Sequence, residues 1–144
     1  MRTVHRLRAA ANWINLSTPA GLLLARLASG APRRARNGLL VSHGYRPPIP
    51  AAVAFTLGNV VLVRAESPPG RDPIGSIRVP LLSHEERHCT QYALCGGIAM
   101  PLLYVAACGW SWLRTGDIAS RNVFERGAGL VDGGYASPSS GTRG

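Results

Sequence analysis

The stretch Cys95-Gly96-Gly97-Ile98-Ala99-Met100-Pro101 interrupts the longest apolar run of the chain, and the fold depends on how it is read. Residues 93 to 113 carry no charge, which is long enough for one transmembrane helix. Trp110 and Trp112 beside Arg114 look like an interfacial belt. As a span, the run would hold its flanking segments about 30 Å apart on opposite sides of a bilayer. As two helices turned at Gly-Gly and Pro, it would bring those segments together. The descent from His88 to the break is about 10 Å and the return to Leu113 about 18 Å, so a reversed chain re-emerges near His88. The punctuation favours the hairpin, and a hairpin this apolar could still lie partly in a bilayer.

The segments it would join carry chemistry. His84-Glu85-Glu86-Arg87-His88 fits H-E-x-x-H. On a helix, i and i+4 stack on one face, so both imidazoles can reach one Zn²⁺ while Glu85 sits beside it as a candidate general base. Gln91 continues that face one turn on, as pocket lining or a support for His88. Downstream, Asn122 is placed to cap a helix over about 123 to 131, with Glu125 in its first turn. The competing structural account is hydrogen bonds and salt bridges alone, such as Arg87 to Asp117 or Glu86 to an arginine.

Length and composition set limits. The chain has 144 residues, enough for one domain with a real core but not for separate catalytic and substrate domains. All 16 basic residues are arginine, against seven acids, giving +9. Arginine prefers planar anionic partners, so a membrane surface is a plausible neighbour; the scattered charge and few aromatics argue against nucleic acid. Cys89, Cys95 and Cys108 form no CxxC, and Cys95 lies about 10 Å along the helix from His88, too far to share a metal. Buried free thiols are expected. Pro19 and Arg26 break the N-terminal apolar run, so secretion is not expected and the chain is placed at the cell membrane or in the cytoplasm.

The expected fold is α+β in a single domain over 1–135. Residues 1–36 form a basic N-terminal segment, including a short helix capped by Thr18 or Ser17 with Pro19 at its first position. Residues 37–79 form a small antiparallel sheet. Its strands are Gly38 to Ser42, a hairpin of Val53–Leu57 and Val60–Val63 about Gly58-Asn59, and Ser76 to Val79, with loops at 43–48 and 66–73. His43 on the first loop reads as a surface histidine. Residues 80–132 form the helical unit: the H-E-x-x-H helix from about Pro80–Ser83 to Cys95, the apolar hairpin, and the returning Glu-bearing helix. Residues 136–144 read as a disordered tail.

His84-Glu85-x-x-His88 followed by Asn122-x-x-Glu125-x-x-Ala128 resembles the gluzincin branch of zincin metallopeptidases. It is more similar still to small uncharacterised bacterial proteins with a His-Glu-x-x-His-x-x-Gln core and a returning Glu. The resemblance implies Zn²⁺ held by His84, His88 and Glu125, Glu85 as general base, and hydrolysis of a peptide or protein substrate. Three protein ligands with one open position is the catalytic arrangement. Glu86 and Arg87 depart from the pattern, which usually has uncharged residues there, so that side of the helix is expected to be exposed. Gly129 replaces a common orienting acid, for which Asp132 is a candidate substitute. Tyr92, Tyr104, Tyr135 and Arg121 are oxyanion candidates. The alternative is a non-catalytic small membrane protein with 93–113 as its span.

Overall fold

The computed structural model describes residues 1–65 and 78–135. The expected loop at 66–73, the tail at 136–144 and Ser76-Ile77 of the expected last strand lie outside the described residues. Two helices open the chain, α1 (Thr3–Ile14) and α2 (Ser17–Ala28), followed by strands β1 (Arg33–Arg34), β2 (Leu40–Tyr45), β3 (Ala54–Leu57) and β4 (Val60–Arg64). Helices α3 (Val79–Leu94), α4 (Ala99–Thr115) and α5 (Val123–Ala128) complete it. The α+β class is as expected.

The sheet is mixed rather than antiparallel. Its order is β1-β2-β4-β3, with β3–β4 the expected hairpin and β4 running parallel to β2. The chain leaves β2, passes the central position to form edge strand β3, and returns as β4. Val60-Val61-Leu62-Val63 is therefore covered on both faces, as its unbroken β-branched and apolar run requires. Val60 and Leu62 pack with Ala25 and Leu22 of α2, whereas Val61 and Val63 pack with Leu82 and Cys89 of α3. Burial pushes the Cys89 thiol up to about 12. Strand β2 runs on past the expected loop start, pairing His43 with Val63 and Tyr45 with Arg64 across a register shift at Gly44. His43 is exposed.

The sheet is thus held between α2 and α3, and the hairpin tip fixes their spacing. Gly58 adopts a φ of +66°, and a Cβ there would lie 2.3 Å from the Thr18 backbone nitrogen. Thr18 is not the helix cap expected of it. Its Oγ1 accepts from the Asn59 N–H at 3.1 Å, and α2 begins earlier, at Ser17, after Leu16 in the left-handed region. Asn12 of α1, fully buried, donates to Asn59 Oδ1 at 3.1 Å and to the Cys89 carbonyl at 2.8 Å, tying α1, the hairpin and α3 together.

Helix α1 also corrects an expectation about α3. Arg87 is exposed as expected, but Glu86 is not: it accepts from buried Arg8 at 3.1 Å and from Asn37 at 2.9 Å, and it pairs with Arg36 at 3.3 Å. Val79, expected in a strand, opens α3, and Arg78 is its N-cap. The apolar run then divides. Residues 93–113 are shared between the end of α3, a turn with Gly96 and Gly97 both at positive φ, and α4, with a bend of 116°. Among the described residues no single helix is long and apolar enough to cross a membrane; the bent pair passes that test together.

Candidate metal centre

Helix α3 supplies three adjoining groups on its sheet-facing side: His84 and Glu85 are 3% exposed and His88 is 7% exposed. The bend after α3 and the reversal through α4 return the chain so that α5 packs beside α3. Asn122 caps α5 as expected, its side chain accepting from the Phe124 N–H at 2.9 Å. The helix is shorter than the expected 123–131, since Gly129, with a φ of +91°, ends it after Ala128. Glu125, 2% exposed, is thereby placed against both histidines.

The three inward atoms are close. His84 Nε2 lies 3.0 Å from His88 Nε2 and 3.2 Å from Glu125 Oε2, and His88 Nε2 lies 3.6 Å from Glu125 Oε1. Ligands about 2.0–2.1 Å from a tetrahedral ion stand about 3.3 Å apart, a separation these distances bracket. His84, His88 and Glu125 form a buried group that can hold a metal ion.

Hydrogen bonds behind the histidines decide which atoms face inward with lone pairs. His84 Nδ1 lies 2.9 Å from the Gly129 carbonyl, which only accepts, so Nδ1 carries the proton. Gln91 Nε2 donates to the Phe124 carbonyl at 2.9 Å, which turns Gln91 Oε1 toward His88 Nδ1 at 2.7 Å and makes that nitrogen a donor too. In the neutral rings both Nε2 atoms are then acceptors. They face a carboxylate whose Oε2 is buried with no hydrogen-bond donor. With both rings neutral the three inward groups are all acceptors, and a metal ion or a proton can occupy the space between them.

Without a metal, a proton is the substitute. Burial works against charging His84, but the Glu125 carboxylate, the Glu85 charge and the Gly129 carbonyl together raise its pKa above the ordinary 6.5. Burial would likewise raise Glu125, yet hydrogen bonds from His84, His88 and Tyr104 bring it down from 4.5 to about 2. The Tyr104 hydroxyl donates to Glu125 Oε1. Glu85 behaves in the opposite sense: burial raises its pKa above the ordinary value, against the pull of His88, the Thr56 hydroxyl and His84. Thr56 Oγ1 donates to Glu85 Oε2 at 2.7 Å, fixing the carboxyl against β3.

A cavity of about 460 Å³ opens onto this group. Its walls include Pro50–Thr56, Met100, Pro101, Tyr104 and Val105 of α4, and Gly133–Tyr135. Of the candidates from sequence, Tyr92, Tyr104 and Tyr135 line it with Glu85, His84, His88 and Glu125. Gln91 stands behind His88. Burial holds the Tyr92 and Tyr104 phenols above the usual tyrosine range and pushes Tyr135 up to about 12, so all three remain proton donors at neutral pH. Arg121 is exposed and outside the cavity, its backbone N–H bonded to Ser111. Asp132 does not touch a histidine. It pairs with Arg87 at 2.8 Å, in place of the Arg87–Asp117 pair that sequence suggested, and Arg87 also donates to the Ala128 carbonyl. Asp132 thus braces the turn whose Gly129 carbonyl orients His84.

Two contributors were not foreseen. Thr56 carried a signal, being the polar residue of Ala54-Phe55-Thr56-Leu57 on the face shared with buried Ala54. Gly133 carried none beyond its residue type: a Cβ there would lie 2.6 Å from His84 Cε1, so only glycine admits the ring. No protein-family model, curated protein or solved structure matches this chain.

Proposed function

We propose that the protein is a zinc-dependent metallopeptidase-like hydrolase. The observation that carries this reading is the convergence of His84 Nε2, His88 Nε2 and the donorless Glu125 Oε2, with the buried Glu85 carboxyl beside them in an open cavity. Two imidazoles and one carboxylate suit zinc, and three protein ligands leave a position for water or substrate. When bound, zinc would act as a Lewis acid toward a carbonyl and lower the pKa of its water to about 7.

The chain's own residues supply the rest. Glu85, its pKa raised by burial and its carboxyl steadied by Thr56, is placed to take a proton and return it to a leaving amine. Tyr135, with its ring 6.3 Å from that of His84 and its phenol bonded to Tyr104, is a candidate donor for a developing oxyanion. Tyr104 is committed to Glu125, where it holds the carboxylate in place. Gln91 and the Gly129 carbonyl fix the tautomers.

The test has two stages. Protein purified without chelators is expected to contain zinc, and His88→Ala and Glu125→Gln to lose it. Glu85→Gln is expected to keep zinc and to lose hydrolysis of a mixed fluorogenic peptide library. A Glu85→Gln protein that keeps zinc and cleaves as wild type does would exclude Glu85 as the general base.

A further inference from the structure

Helix α4 wears its apolar side chains outward. Met100 and Ser111 are buried and Tyr104, Ala107 and Cys108 half-buried, a stripe at i, i+4, i+7, i+8 and i+11 that faces the protein. Around the rest of the helix, Leu102 (72% exposed), Leu103, Val105, Trp110, Trp112 and Leu113 face outward, and no charge occurs from Ala99 to Leu113. A helix facing water places charge there; this one presents Leu, Val and Trp along about 25 Å. The surface continues past the bend. Gly97 packs on Asn15, whose amide donates to the Tyr92 carbonyl at 3.3 Å, and the residues flanking these contacts, Ile14, Leu16, Leu94 and Ile98, are exposed as well.

We propose that this face docks on an anionic lipid bilayer, with α4 lying along the interface. Charge selects that occupant over a second copy of the chain. The net charge is +9. Among the described acids, Glu85 and Glu125 are buried and Glu86 and Asp132 are paired with arginines; exposed Asp117, just past α4, accepts from the Ala119 and Ser120 N–H groups and is outnumbered by the exposed arginines, so the outward field is positive. Like fields repel two copies and attract anionic headgroups. Shape agrees: a convex helix bare over most of its circumference is enveloped by lipid, whereas a protein partner covers one side. Arg114 lies over the Trp110 ring at 4.3 Å beside Trp112, an aromatic and cationic pair suited to headgroup depth. Pro101 and Val105 are exposed on α4 and also line the cavity, so the cavity borders the docking face.

Flotation with phosphatidylcholine vesicles, with and without phosphatidylglycerol, tests this. Wild type is expected to float with the anionic vesicles and at least about tenfold less with the neutral ones. Leu102→Glu/Val105→Glu, two exposed positions, should retain the wild-type circular dichroism melt and lose flotation about tenfold or more. Brominated lipid should quench tryptophan fluorescence in wild type only. Wild type left in solution, or a double variant that floats equally, would overturn the proposal. So would a lipid-free dimer that the double variant dissociates, since the occupant would then be a second copy. Glu125→Gln is expected to float as wild type does. Metal content is read separately, so docking and the metal site can fail independently.

Discussion

Helices α3 and α4 are neighbours of nearly equal length, 16 and 17 residues, with opposite relations to their surroundings. Helix α3 buries His84, Glu85 and His88 alongside Leu82, Cys89 and Tyr92; α4 buries only Met100 and Ser111 and turns leucine and tryptophan outward. Hydrophobic order is inverted across one bend. Burying three ionisable groups is unfavourable unless each finds a partner, and in α3 each does: Gly129, Thr56, Gln91 and Glu125 supply them. Helix α4 makes no such demand on its neighbours. The candidate metal centre therefore sits where polarity is hidden, and the exposed apolar helix forms one wall of the same cavity.

Substitutions can sharpen or break that contrast, and the largest effect belongs to the α3 core. Leu82, 1% exposed between the sheet and α3, is expected to cost about 2–5 kcal/mol on truncation to alanine, read as a denaturant midpoint. Gly133→Ala is next: its Cβ must displace the His84 ring, and zinc affinity should fall by about 100-fold with little change in the melt. Gln91→Ala frees His88 Nδ1 and should weaken zinc about 10–100-fold, measured by competition with a chromophoric chelator. The smallest effect is predicted on α4, where Leu102→Ser should change stability by no more than about 0.5 kcal/mol in the absence of lipid. A loss there comparable to that of Leu82→Ala would mean that α4 is core and would erase the distinction.

The metal-stripped protein adds a pH signature. Glu125 has a folded pKa of about 2 against an ordinary 4.5, so its contribution to stability is present above 4.5 and lost as pH falls toward 2. His84, raised above 6.5, contributes below that value and loses its contribution as pH rises through the folded pKa. Urea midpoints of chelated wild type should therefore drop on the acid side, and Glu125→Gln should lack that component.

How far the sequence foretold this depends on the range of the signal. Within a helix or hairpin it was strong: the α3 limits, the 58–59 turn, the Asn122 cap and the reversal at Gly96-Gly97 follow from local chemistry. The parallel β2–β4 pairing was not legible, because strand order depends on how a loop crosses the sheet and not on the strands themselves. A pairing of Glu86 with an arginine was expected, but that Arg8 of α1 would supply it was not, for a related reason. A basic N-terminal segment looks solvated until α1 packs on α3 and the charge acquires a buried partner. In the site, His84, Glu85, His88 and Gln91 were named from spacing and Glu125 through the resemblance, whereas Gly133 and the Gly129 carbonyl act through backbone geometry, which no side-chain pattern encodes.

The most direct test of the centre is metal stoichiometry by plasma mass spectrometry on protein purified without chelators, comparing wild type with Glu125→Gln. Three converging acceptors predict about one zinc per wild-type chain and a near-complete loss in the variant. Wild type devoid of zinc and unable to bind it on titration, or a variant that retains it equally, would contradict the account.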